Sequence, residues 1–234
     1  MDYQEIISKL DELANTKIAK NSQRFFKTEK GEYGYGDKFL GIRVPVLRKI
    51  AKSCRALTTT EIKKLIKSEF HETRLLALLI LVDQYSQANE DKKEIIYKLY
   101  LKHTKYINNW DLVDTSAHYI VGAWLIDKDR TILYELANSA KLWERRIAIM
   151  STFFFIKNGE FTDTLNLSKV LIDDTEDLIH KAVGWMLREI GNRDQKEEEK
   201  YLKQHYKQMP RTMLRYSIEK FSKEHRQKYL KGRV

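Results

Sequence analysis

Two prolines and nine glycines are all the backbone breakers this 234-residue chain carries. Proteins built from many short strands need turn residues at frequent intervals, so a β-sandwich or barrel is excluded and a helical protein is expected. There is a single cysteine, Cys54. An internal disulfide and a cysteine-based zinc site are therefore both excluded, and Cys54, within a helical pattern, reads as a small buried residue. No apolar run approaches the roughly 20 residues of a membrane span. The most apolar stretch, Ile147 to Ile156, is interrupted by Ser151 and Thr152. The start, Met1-Asp2-Tyr3-Gln4-Glu5, lacks a basic segment leading into an apolar one. No secretory signal is expected, and a cytoplasmic location is.

What is abundant is charge. Lys plus Arg number 43 against 33 Asp plus Glu, a net charge of +10. Such an excess points to a polyanionic partner, nucleic acid first and an anionic membrane second. Apolar residues recur at helical spacing, as in Ile6, Leu10 and Leu13, in Leu75, Leu78, Leu79 and Val82, in Ile95 and Leu99, and in Leu167, Val170 and Leu171. Thr58 to Thr60 precede Glu61 and a helix through Lys67, Asp91 opens another, and Pro45 and Pro210 stand at further helix starts. Gly31 to Asp37 holds three glycines in seven residues and reads as a loop. No strand precedes it and no lysine-serine/threonine pair follows it, so it is no nucleotide-binding P-loop.

The chain repeats itself. A basic residue followed by a short apolar stretch containing a small residue occurs at Arg74, Arg146, Lys181 and Arg215, and Asp114 fits the same register with the charge reversed. Shorter helical segments lie between these anchors, near 91–104, 129–140, 161–173 and 194–207. Helix pairs at such intervals are the signature of an α-solenoid. The tetratricopeptide pattern is absent. The expectation is an all-α, HEAT-like helical repeat superhelix, a C-shaped single domain over 1–234, with the anchored helices lining a concave face. Arg74, Arg146, Lys181, Arg188 and Arg215 would then line that face as a rail of DNA-phosphate contacts. The alternative for each is an ion pair that holds neighbouring repeats together.

An acid in a register otherwise held by cations is costly beside phosphate, so Asp114 suggests chemistry that creates positive charge nearby. Trp110 lies four residues before it, on the same helical face. The alternative is a structural carboxylate, paired for instance with Arg146. Lys181, Trp185 and Arg188 form a basic stripe around an aromatic, which suits a nucleic-acid surface, although Trp185 also suits a core. Trp143 suits packing between repeats, and Glu144 and Arg145 a solvated face. His118 follows Asp114 by four and reads as an ordinary helix residue. His71, His103 and His180 lack metal-ligand spacing, Ser116 has no His-Asp partners, and Glu197 to Lys200 reads as a solvated run. No metal or organic cofactor is expected.

Taken together, Phe39-Leu40-Gly41-Ile42 with Pro45, Trp110-Asp111-Leu112-Val113-Asp114, Trp143 with Arg146, and Gly184-Trp185-Met186-Leu187-Arg188 resemble the AlkD-type DNA alkylation-repair glycosylases over roughly residues 40 to 220. The resemblance implies a monofunctional enzyme that removes purines alkylated at N3 or N7 from duplex DNA. It implies Asp114 as the catalytic carboxylate and Trp110 and Trp185 as contacts to the lesion's deoxyribose. Arg146 would contact the backbone and help place Asp114. A monomer is expected. The family's active members carry a short N-terminal helix that approaches the minor groove. The loop Gly31 to Asp37 occupies that region here, so this helix is expected to be missing. The rival reading is a non-catalytic repeat protein that binds DNA weakly or binds another macromolecule. An RNA-binding repeat is disfavoured because no repeated base-reading code is present.

Overall fold

A computed structural model describes all residues, 1–234. It is all-helical, with a single isolated β-bridge between Lys38 and Phe70. No helix is long and apolar enough to cross a membrane. The chain packs into two compact units, Met1–Ile120 and Val121–Val234.

In the first unit the helices are α1 (Tyr3–Leu13), α2 (Thr16–Phe25), α3 (Val44–Ser53), α4 (Thr59–Ile66), α5 (His71–Ser86), α6 (Glu90–Lys102) and α7 (Trp110–Asp114). Asp2 and Glu5 close a capping box on α1, and Thr58 and Glu61 close one on α4, so the threonine cluster starts its helix as read. Asn89, two residues before the expected Asp91, caps α6. Helix α5 is the hub. Its residues 71–78 are all buried, because α3 and α4 pack on it from one side and α6 and α7 also touch it. The apolar periodicity holds with local slips: Ile95 is exposed and Ile96 takes the buried place.

The segment ahead of the glycine-rich loop is helical. Gln23, Arg24 and Phe25 end α2, a helix with no buried residue that leaves Phe25 65% exposed. The chain then returns along α5. Gly41 has φ +82°, and a Cβ there would stand 2.1 Å from the Asn15 carbonyl oxygen, so only glycine fits. Glu72 of α5 fixes this return, its buried carboxylate accepting the backbone N–H groups of Leu40 at 2.9 Å, Gly41 at 2.8 Å and Ile42 at 3.3 Å.

In the second unit follow α8 (Ala123–Leu125), α9 (Thr131–Ala137), α10 (Leu142–Ser151), α11 (Phe153–Lys157), α12 (Thr162–Val170), α13 (Asp177–Gly191), α14 (Gln195–His205), α15 (Arg211–Ser217) and α16 (Lys223–Leu230). The anchored helices α10 and α13 each follow a shorter helix, as the repeat requires, whereas α15 is shorter than the α14 that precedes it. Helix α13 packs most closely on α15. Gly184 makes this possible, since a Cβ there would lie 2.5 Å from the Met213 carbonyl oxygen.

Two surface expectations fail. Glu144 accepts from Ser139 and Lys141, and Arg145 pairs with Asp174 at 2.6 Å; both are held rather than solvated. Within Glu197 to Lys200, Glu198 is only 2% exposed, because α14 turns it against the bare backbone of Gly191. Burial, reinforced by the neighbouring Glu199 charge and partly offset by Arg188, pushes its carboxyl up to about 8. Its folded value exceeds the ordinary 4.5, so stability is lost as pH rises from there through about 8. Glu198→Gln should therefore raise Tm at pH 8 by several degrees and change it little at pH 4.5. An equal effect at both pH values in thermal melts would show that Glu198 is not held neutral.

Candidate active site

In the first unit the site grows from α7. Asn109 caps this helix, accepting the Trp110 N–H at 2.9 Å, and the five residues Trp110–Asp114 form a little over one turn. Trp110 and Asp114 are thus stacked on one face, both half-buried, while Leu112 and Val113 point into the core. Behind Asp114 stands Tyr100, fully buried, its hydroxyl 3.0 Å from Ser116 Oγ. Burial, and to a smaller degree the Asp114 charge, raise its phenol above the ordinary tyrosine range.

Trp110 is clamped by aromatic rings. Phe26 stacks on it at 5.4 Å, Phe25 meets it edge-on at 6.0 Å, and Phe39 stacks on the far side of the same assembly, 5.1 Å from Phe26. His71 completes the layer, stacked on Phe39 at 4.6 Å. Its two ring nitrogens face two carboxylates, Nδ1 at 3.0 Å from Asp37 and Nε2 at 2.8 Å from Asp111. Burial alone would lower the imidazole's pKa. The hydrogen bonds to Asp111 and Asp37 and the charges of both overcome this and raise it to about 9. His71 is consequently an imidazolium, with both nitrogens donating. Asp37 is itself resisted by burial, but His71 and Arg74 hold its carboxyl below the ordinary range.

The second unit carries Trp185 on α13. Its indole Nε1 donates to Glu189 at 3.3 Å, and Glu189 also accepts from Arg193 at 2.9 Å. The Phe153 ring lies 6.2 Å from the indole, and the Lys157 ammonium stands 4.2 Å from the centroid of that phenyl ring. Burial and the Arg193 charge lower the Lys157 pKa. One groove of about 560 Å³ gathers Lys181 and Thr212 with Arg215, Tyr216 and Arg226. Lys181 pairs with Asp177 at 2.7 Å, Arg188 pairs with Glu219, and Arg215 is exposed.

The profile of a DNA alkylation repair enzyme family matches residues 6–221. The chain belongs to that family. Two solved structures share its fold. One, described as "Predicted DNA alkylation repair enzyme from Enterococcus faecalis.", is 16% identical with a TM-score of 0.70, over 90% of this chain and 97% of that one. The other, described as "A new family of proteins related to the HEAT-like repeat DNA glycosylases with affinity for branched DNA structures", is 16% identical with a TM-score of 0.64, over 100% of this chain and 96% of that one. No curated protein sequence matches the chain. The architecture is accordingly a HEAT-like helical repeat.

In this DNA alkylation repair family member, two of the cations read from the repeat register do not face outward. Arg74 is 3% exposed. It donates to Asp37 and to the carbonyls of Ser68 and Glu69, so its guanidinium is already occupied inside the fold and is no phosphate contact. Arg146 is 4% exposed and donates to the Leu178 carbonyl. The structure also brings in residues that spacing could not reveal. Asp37, His71 and Asp111 lie 34 and 40 positions apart and meet only through the packing of the loop and α7 on α5. No group of three or more His, Cys, Asp or Glu side chains is placed to hold a metal.

His71→Ala would leave Asp37 and Asp111 without their shared cation, at an expected cost of roughly 3–5 kcal/mol. The folded pKa lies above the ordinary 6.5, so this contribution is complete below pH 6.5 and lost as pH rises through about 9. Urea denaturation between pH 6 and 10 should show His71→Gln losing that part of the wild-type slope. Parallel slopes for the two proteins would refute the imidazolium assignment.

Proposed function

We propose that the chain is a monofunctional DNA glycosylase that hydrolyses the N-glycosidic bond of cationic alkylpurines, alkylated at N3 or N7, in duplex DNA. The observation that carries this reading is α7 in a DNA alkylation repair family member: a half-buried Asp114 beside a Trp110 immobilised by stacked rings. A purine alkylated at N7 already bears positive charge and leaves without a general acid. As the C1′–N bond breaks, its electron pair departs with the base, which becomes neutral, and positive charge grows on the sugar. The Asp114 carboxylate opposes that charge and orients water toward C1′; water adds its oxygen there and its proton passes to Asp114 or solvent. Trp110 supplies a flat face for the deoxyribose. Lys181, Arg188 and Arg215 supply phosphate contacts, with Arg74 removed from that set. No cofactor is needed for these steps.

A second reading is a non-catalytic DNA binder. It is favoured by the neighbour described as having affinity for branched DNA structures, which covers the whole of this chain. One substitution separates the two. Asp114→Asn keeps the shape and removes the charge, so base release from DNA bearing N7-methylguanine should fall by about 10²–10³-fold. DNA affinity should hold or rise. Unchanged release per folded molecule with a lowered Tm would make Asp114 a structural group, and a wild type that releases no base leaves the binder.

Binding should also report its own electrostatics. Log affinity should fall linearly with log salt, with a slope near −0.9 per phosphate contact. Arg215→Gln should make that slope shallower by about one and weaken all sequences alike. Affinity insensitive to salt would point to a protein partner instead.

A further inference from the structure

The groove of about 560 Å³ in the second unit gathers more positive charge than its own carboxylates balance. Its acids are Asp177 and Glu219, and its cations are Lys181, Arg215 and, from α16, Arg226. Both acids are already engaged, Asp177 by Lys181 at 2.7 Å and Glu219 by Arg188. Neither Arg215 nor Arg226 has a carboxylate within ion-pair distance, and neither guanidinium donates to any group of the chain. The Arg226 Nε is buried without a partner, so packing holds this side chain in the groove wall. Two unpaired guanidiniums on one groove repel each other, and an anion between them removes that cost. The chain around Arg226 has the same bias. Residues 222–234 follow the segment that matches the family profile, and they carry Lys223, Arg226, Lys228, Lys231 and Arg233 against the single acid Glu224. Lys223 stands one turn before Arg226 on the same side of α16, exposed and without an ion pair.

We infer that Arg215 and Arg226 clasp one backbone phosphate of duplex DNA, which makes α16 a DNA-contacting helix outside the segment that matches the family profile. A guanidinium fork pairs with phosphate oxygens at better geometry than an ammonium does, and a phosphodiester has two free oxygens to share between two forks. The groove is open, so a strand can lie across it without leaving the duplex. An acidic side chain of a protein would satisfy the same forks, but it would leave the cations beyond them unused. Exposed Lys223, Lys231 and Arg233 follow one another along α16 and the residues after it, which suits a ligand whose charge repeats along its length. Gly184 contributes at one remove, because the close approach of α13 and α15 that it permits sets the width of the groove between Lys181 and Arg215. Assigning the phosphate to DNA, rather than to another polyanion, rests on the DNA reading above.

Fluorescence anisotropy of the full chain on an undamaged duplex, read across a salt series, tests the clasp without any excision. Arg226→Gln should make the slope of log affinity against log salt shallower by about one, as Arg215→Gln does. Because the two share one phosphate, the double variant should also lose about one, not two. Lys228→Gln removes the same charge from the same helix, but Lys228 already pairs with Glu224 at 3.5 Å and lies off the Arg226 face; its affinity should stay within about twofold of wild type. Should Arg226→Gln fail to fold, Arg226→Lys keeps the charge and loses the fork, and it should weaken binding by roughly threefold or more. A slope loss of two in the double variant overturns the shared phosphate. An Arg226→Gln protein that is folded and binds like wild type overturns the role of α16, and any base release by the wild type then leaves the glycosylase reading intact. Titration with inorganic phosphate, followed at the Arg226 Nε–H resonance, separates the remaining case. A resonance that shifts with phosphate in a wild type that binds no DNA overturns the DNA assignment here and the DNA reading with it. Salt-dependent DNA binding that needs Arg226, in a chain that releases no base, supports the clasp and sinks only the glycosylase reading.

Discussion

The first unit depends on one buried cation shared by two carboxylates. His71 is 2% exposed and donates from both ring nitrogens, to Asp37 in the glycine-rich loop and to Asp111 at the start of α7. A buried charge left alone is expensive, and an ion pair is tolerable only when its geometry and remaining hydrogen bonds are complete. Here Arg74 satisfies the other Asp37 oxygen and the Leu112 N–H satisfies the other Asp111 oxygen. Three segments distant in sequence are therefore fixed relative to each other by groups that lose their compensation together. Trp110 and Asp114 sit on the same turn as Asp111, so the orientation of the face they share follows from the network beneath it.

The second unit solves a related problem with fewer charges. Gly184 lets α13 and α15 approach, which sets Lys181 and Arg215 on one groove. The repeat register consequently means different things at different helices. In α5 and α10 its cation is enclosed and hydrogen-bonded to the fold, whereas in α13 and α15 it reaches solvent. A cation at a helical register marks a position on a face; neighbouring helices decide whether that face is inside or outside.

This distinction explains what the sequence made legible. Helix starts at Thr58 and Pro45, the shorter helix ahead of each of α5, α10 and α13, and the burial of Cys54 follow from local chemistry and periodicity, and all are visible without tertiary information. The burial of Arg74 is not legible from spacing, because its partner Asp37 lies in a loop whose return path depends on Glu72 and Gly41. His71 lacked any partner at helical or metal-ligand spacing, so nothing near it in sequence separates it from an ordinary histidine. Glu198, inside a run of charged residues, shows the same limit in reverse: its burial comes from the missing side chain of Gly191 seven positions away.

Four acidic groups in one chain show how the fold decides what a carboxylate is for. Glu198 is buried with one oxygen lacking a partner, and it holds its proton. Asp37 is buried but faces two cations, and it stays ionised. Asp111 is anchored at both oxygens, by His71 and by the Leu112 N–H, and serves to hold α7 on α5. Asp114 is enclosed less than any buried group, on the rim of a turn whose core side is sealed by Leu112 and Val113. Stabilising a developing oxocarbenium requires a carboxylate that is fixed in position and reachable by both sugar and water. Neutral Glu198 and enclosed Asp37 each fail one of those conditions. A leaving group that is already cationic removes the need for a proton donor, so a single carboxylate on a rigid turn suffices for the chemistry proposed.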